Sequence, residues 1–142
     1  MPTRFILATL SVALLLSSNC LLFAQGMSTD EIFAQRLVGT WEGAEIEKTY
    51  HADGTATGFI WLRHDPERTR TSFKSEWRVE NGYLTSTVRE SSDPEALPIG
   101  SAFRDKIVSI SADEFTFIND DGEREIRKRK KSDSAPSSQP SE

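Results

Sequence analysis

Histidine and cysteine are nearly missing from this chain, which holds two of the first and one of the second. His51 and His64 fall at opposite ends of one predicted strand. At about 3.3 Å per residue they lie on the order of 30 Å or more apart, too far to share a metal ion. A single cysteine excludes a disulfide within the chain, so the fold has to be held by packing. No glycine-rich phosphate loop and no spacing of serine, histidine and carboxylate suggests a nucleophile, and the acids Asp120, Asp121 and Glu123 lack the spacing of a calcium loop. The reading is a protein without catalytic residues, metal or cofactor. An acid pair assembled only by folding, such as Glu76 with Asp105, stays open.

Long apolar runs are also scarce. One runs from Phe5 to Leu16, behind the single charge of Arg4, and it is too short to span a bilayer comfortably. With the polar break Ser17-Ser18-Asn19 and the small residues Ala24 and Gly26 behind it, residues 1–26 read as a secretory signal peptide cut after Ala24 or Gly26. Secretion or a periplasmic location follows. Cys20 raises the question of a lipid anchor, but Ser17-Ser18-Asn19 fits a lipobox poorly, and cleavage at either site removes the cysteine.

The formal net charge is −5, becoming −6 once Arg4 is removed, which argues against a nucleic-acid or anionic-membrane binder working through its whole surface. Arg124 to Lys131 is the basic exception, with six positive charges against one acid. Protection of a terminal strand edge explains that run better than a glycan, lipid or acidic-protein site. Residues 132–142 are rich in serine and proline and read as a disordered tail.

What remains has mostly a period of two. Ser28 and Glu31 have capping-box spacing, and Phe33 and Leu37 stand four apart, so a short helix is predicted from Ser28 to about Val38. Seven strands follow: Thr40–His51, Thr55–His64, Arg68–Glu80, Tyr83–Ser91, Ala102–Ser111, Glu114–Asn119 and Glu123–Lys130. Phe73, Ser75, Trp77 and Val79 share one face of the third. Asn81-Gly82 suits a two-residue turn that pairs Val79 with Leu84, Trp77 with Ser86 and Ser75 with Val88. A three-residue loop Ala52-Asp53-Gly54 aligns Tyr50 with Ala56, Ile46 with Ile60 and Ala44 with Leu62. Two loop residues at Asp121-Gly122 would set Phe117 opposite Ile126. Sequential antiparallel neighbours with one apolar face are best satisfied by an all-β, up-and-down meander barrel of about seven to eight strands, because closure removes both edges. The connection from Ser92 to Ser101 is expected to cross a barrel mouth.

Leu37-Val38-Gly39-Thr40-Trp41, Tyr50-x-x-Asp53-Gly54-Thr55, Trp77-Arg78-Val79-x-Asn81-Gly82-x-Leu84 and Ile107-Val108-x-Ile110-Ser111 together resemble the small lipocalin-like domains of bacterial secreted proteins. The resemblance spans about Ile32 to Lys131, within a predicted domain of residues 28–131. It implies that Trp41 closes the barrel floor and that a basic residue of the last strand, Arg127 or Arg129, packs across it. The chain departs from a typical lipocalin in being shorter, in lacking its disulfides and in ending on a basic strand.

Ile60, Phe73, Trp77, Phe115 and Phe117 are the candidate interior wall for a small apolar ligand, with ordinary core packing as the competing explanation. Phe59 and Trp61 turn outward in the preferred register and suggest a partner surface, unless the helix or the Ser92 to Ser101 connection covers them. Two function classes result. One is a secreted, non-enzymatic binding module that takes an apolar molecule into its barrel. The other is a solid barrel that docks another envelope or extracellular component through its outer surface.

Overall fold

The computed structural model describes residues 26–61 and 69–131. Residues 1–25 of the predicted signal peptide, with Cys20, and Leu62, His64, Arg68 and the serine-proline tail lie outside the described residues. Helix α1 (Thr29–Leu37) is followed by eight strands: β1 (Gly39–Glu42), β2 (Ile46–Tyr50), β3 (Thr55–Trp61), β4 (Arg70–Glu80), β5 (Tyr83–Ser91), β6 (Ala102–Ile110), β7 (Glu114–Ile118) and β8 (Arg124–Arg129). Each pairs antiparallel with the next, and β1 pairs with β8, so the sheet closes into a barrel.

The helix starts where its capping box requires. Ser28 Oγ accepts from the Glu31 amide, and Glu31 returns a bond to the Ser28 amide, satisfying two amides that the first turn leaves open. Asp30 then accepts from the amides of Asn81 and Gly82 at 2.7 and 2.9 Å, tying the helix to the β4–β5 turn. That turn has two residues, both at positive φ (54° and 77°), as a type I′ connection demands. Val79 opposes Leu84, Trp77 opposes Ser86 and Ser75 opposes Val88. Between β2 and β3 the His51 amide bonds the Thr55 carbonyl across a three-residue loop, and Tyr50 faces Ala56 while Ile46 faces Ile60.

Two expectations need correction. The single strand expected from Thr40 to His51 is two strands, because the chain reverses at Gly43-Ala44-Glu45, where the Gly43 amide bonds the Ile46 carbonyl. Glu42 then faces Glu47, and the same few residues supply both β1 and β2. The last hairpin has three loop residues rather than two. The Asn119 amide bonds the Glu123 carbonyl, and Asn119 Oδ1 accepts from the amides of Asp121 and Glu123, making Asn119 the base of the turn. Phe117 therefore faces Glu125 and not Ile126. A slip of one residue exchanges the two faces of a strand. Ile126 points outward, 52% exposed, and Arg127 points inward, 8% exposed.

The barrel has two unlike halves. At the helix end Leu37, Trp41, Tyr50, Trp77, Leu84, Ile107, Phe115 and Phe117 pack into one continuous core. At the other end Phe73, Val88 and Leu97 form a smaller cluster bordered by Ile46 and Ile60. Leu97 belongs to the connection between β5 and β6, which thus sends one side chain into the mouth it crosses.

Candidate functional site in the open half of the barrel

Trp41 seals the closed end. It is wholly buried, and its indole N–H donates to the Leu37 carbonyl at 2.7 Å. Arg129, its neighbour across the β1–β8 seam, holds its guanidinium carbon 4.1 Å from the indole centroid. The same guanidinium donates to the carbonyls of Ala112, Val38 and Arg36. Gly39 makes room for it: its φ of 127° suits glycine alone, and a Cβ there would collide with the Arg129 guanidinium.

Phe115 packs edge-on to Trp41 and stacks on Phe117, and Trp77 packs edge-on to Tyr50 while donating to the Thr55 carbonyl. Trp77 and Phe115 thus belong to the packed half, in keeping with the core-packing alternative. Ile60, Phe73 and Phe117 do line a cavity of about 340 Å³ in the other half, together with Ile46, Val88 and Leu97. That volume sits at the small end of ligand pockets, which run from about 300 to 1,000 Å³.

The inner end of this cup is charged. β2 alternates inward Ile46, Lys48 and Tyr50, so its pleat carries a lysine into the barrel, 6% exposed. Lys48 Nζ donates to Ser86 Oγ at 2.8 Å and stands 4.8 Å from the Tyr50 ring centroid and 5.8 Å from that of Phe73. Arg127 enters from β8, its guanidinium carbon 4.6 Å from the Phe117 centroid and Nη1 3.4 Å from the Tyr50 hydroxyl. The two cations therefore meet at Tyr50. Burial, then the Arg127 charge, depresses Lys48 to about 7, against a smaller upward pull from Asp105. Burial pushes the Tyr50 hydroxyl up to about 12.

Acids stand nearer the mouth. Burial raises Asp105, on β6, to about 6, although Arg127 and Lys48 pull it down. Glu125 accepts from the Asn119 side-chain Nδ2 at 2.8 Å and stays 4.0 Å from Arg127 Nη2, a weak pairing. Arg127 Nε and Ser75 Oγ are buried and have no hydrogen-bond partner among the described residues. Leaving such a group unsatisfied costs about 1–3 kcal/mol.

Several candidates are separated by the fold. Glu76 points outward and pairs with Arg89 at 2.7 Å while Asp105 points inward, so they make no acid pair. Phe59 faces outward but lies under the Arg70 guanidinium, 4.5 Å from its centroid, and Trp61 is half-buried. The basic run divides by pleat: Arg127 enters the cup and Arg129 covers Trp41, while Lys128 and Lys130 meet the acids Glu114, Glu42 and Glu47 outside. Among the described residues no group of three or more histidines, cysteines or acids is placed to hold a metal, and no helix is long and apolar enough to cross a membrane.

Lys48, Ser86, Asp105 and Leu97 were absent from the sequence-based wall. A signal for Lys48 existed, because the register that faces Ile46 to Ile60 and Tyr50 to Ala56 also turns Lys48 inward. No family model and no curated sequence matches the chain. Its fold is similar to that of a lipocalin-like protein from Bacteroides uniformis ATCC 8492, with a TM-score of 0.50 over 66% of this chain and 98% of that one, at 11% identity. The likeness at that identity speaks for the architecture. The domain is therefore a lipocalin-like, closed eight-stranded antiparallel β-barrel with a short helix at one end.

Proposed function

We propose that this protein is an exported, non-enzymatic binding module that takes one small, mostly apolar molecule into the open half of its barrel. The cup carries the reading. Its apolar walls are Ile46, Ile60, Phe73, Val88, Leu97 and Phe117, and its size of about 340 Å³ suits a small molecule. A packed floor beneath an open space gives a ligand a fixed depth. Export is supported by the apolar run and small residues that precede residue 27.

Native mass spectrometry of the protein recovered from its own cells tests both parts. A co-purified molecule of a few hundred daltons or less, held one per chain, and a chain beginning at Gln25 or Met27 are the expected results. A chain carrying lipid on Cys20 would overturn the soluble-export reading, and a protein that neither retains nor takes up any small apolar molecule would overturn the binding reading.

A further inference from the structure

Lys48 and Arg127 are each more than nine-tenths buried, and both reach Tyr50. Lys48 Nζ donates to Ser86 Oγ and lies against the ring faces of Tyr50 and Phe73, on the wall of the cavity of about 340 Å³. Arg127 Nε has no hydrogen-bond partner among the described residues, Nη1 makes a long contact to the Tyr50 hydroxyl, and Nη2 stays 4.0 Å from Glu125. An amine with open space beside it thus shares Tyr50 with a guanidinium that has unused donors. We propose that Lys48 is a carbonation site, whose amine adds reversibly to carbon dioxide to give a carbamate held by Arg127.

The addition asks three things of the protein: a neutral amine, space for the three atoms of carbon dioxide, and donors for the anion formed. Burial, then the Arg127 charge, holds Lys48 at about 7, so its lone pair is free where an exposed lysine is protonated. Outside the barrel Lys74, Lys128 and Lys130 pair with acids, which keeps their nitrogens charged. The cavity supplies the space. The Nζ lone pair forms the N–C bond, one C=O electron pair moves onto oxygen, and the nitrogen loses one proton to water, directly or by way of the Asp105 carboxylate on the same wall. Lys48 ends as –NH–COO⁻ and keeps one N–H for Ser86. No oxidant or further reactant enters. The carbamate oxygens accept from Arg127 Nε and its neighbouring nitrogen, charge-assisted bonds that a buried setting strengthens.

The charges around the site decide what holds the product. Asp105 from β6, Glu125 from β8, and Asp120 and Asp121 from the β7–β8 turn line the same cavity and oppose a new anion, while Arg127 alone favours it. Burial raises Asp105 to about 6, so it is mostly ionised where Lys48 turns neutral. Tyr50, at about 12, stays neutral throughout. At fixed bicarbonate, dissolved carbon dioxide falls with rising pH in the proportion by which loss of the proton favours the carbamate. Occupancy therefore follows the fraction of neutral amine, and reaches half its plateau at about pH 7.

NMR of the unaltered protein with carbon-labelled bicarbonate and nitrogen-labelled lysine provides the test. The expected result is one carbamate carbon per chain, coupled to a lysine Nζ, with its midpoint at about pH 7 and lost on acidification. A carbamate on the chain's terminal amine lacks that coupling and is told apart by it. Lys48→Met should abolish the signal. Arg127→Met, which keeps the amine but removes the donors, should lower occupancy about tenfold, the scale of a charge-assisted pair. Asp105→Asn should raise occupancy, because it removes an opposing charge and lets Lys48 lose its proton more readily. The coupling and midpoint on the unaltered protein decide the matter even if a variant fails to fold. The proposal is overturned by the absence of a lysine-coupled carbamate up to about pH 8.5, or by one that appears only in the ordinary lysine range near about 10.4. A coupled signal that survives Lys48→Met overturns it equally. The small-molecule reading stands or falls separately, since the carbonation site does not rest on it.

Discussion

Arg129 lies over Trp41, guanidinium on indole, and its remaining donors gather the carbonyls of Arg36, Val38 and Ala112. One side chain of the last strand thus joins the end of α1, the start of β1 and the β6–β7 turn. It fastens the seam at which the barrel closes. Trp41→Ala should cost about 3–5 kcal/mol in urea unfolding, because no side chain nearby can fill the space of an indole. Arg129→Met keeps the cover over the ring but loses the fork, and should cost about 2–3 kcal/mol.

The two halves of the barrel should respond differently to the same truncation. Phe115→Ala opens a void between Trp41 and Phe117 and should cost about 3–5 kcal/mol. Phe73→Ala enlarges a space that already opens to the mouth, and should cost about 2 kcal/mol or less, since water can enter a widened cup. Unfolding midpoints of the two variants in one denaturant series provide the check.

Ile126→Lys should change stability by no more than about 0.5 kcal/mol, as for other exposed positions. A two-residue β7–β8 turn would have put Ile126 in the core, and the substitution would then unfold the protein. Thermal melts of the variant therefore read the register of the last hairpin directly.

Stability should pass through a minimum at around pH 6–7. Lys48 is depressed in the folded state to about 7, so the unfolded chain binds more protons between there and the ordinary lysine range, and stability rises with pH across that window. Asp105 is raised to about 6, so the folded chain binds more protons below it, and stability rises as the pH falls toward the ordinary carboxylate range. Lys48→Met should flatten the alkaline limb and Asp105→Asn the acid limb, in urea midpoints measured across the range. Lys48→Met should also be the more stable protein near neutrality if it folds without strain, because a buried charge is replaced by an apolar chain of similar length.

Most of the architecture was legible because local signals agreed with the global fold. The capping box at Ser28, the Asn81-Gly82 turn and the alternation from Phe73 to Val79 each fix one element, and their registers hold in the barrel. The errors came from places where the local signal is shared by two structures. Asp121-Gly122 suits a two-residue turn, yet Asn119 offers its side chain to two loop amides and widens the loop by one. Gly43-Ala44-Glu45 carries no strong turn dipeptide, so the break between β1 and β2 has no clear local signal. The apolar wall was legible only in part, because inward parity does not say which half of a barrel is filled. Trp77 and Phe115 fall below the boundary, and Phe73 and Ile60 above it. The charged floor is hidden because charged side chains mostly lie at the surface. Lys48 sits at an inward position in the register the sequence itself favours, and Arg127 moves inward once the last turn gains a residue.

Amide and side-chain NMR during a decanol titration addresses the central claim most directly. The expected result is saturation at one molecule per chain, with shifts concentrated at Ile46, Lys48, Ser86, Val88, Leu97 and Arg127, and with Gly39, Trp41 and Arg129 at the closed end nearly still. Shifts spread over the outer faces of β3 and β4, or none that saturate, would contradict a ligand cup above a packed floor.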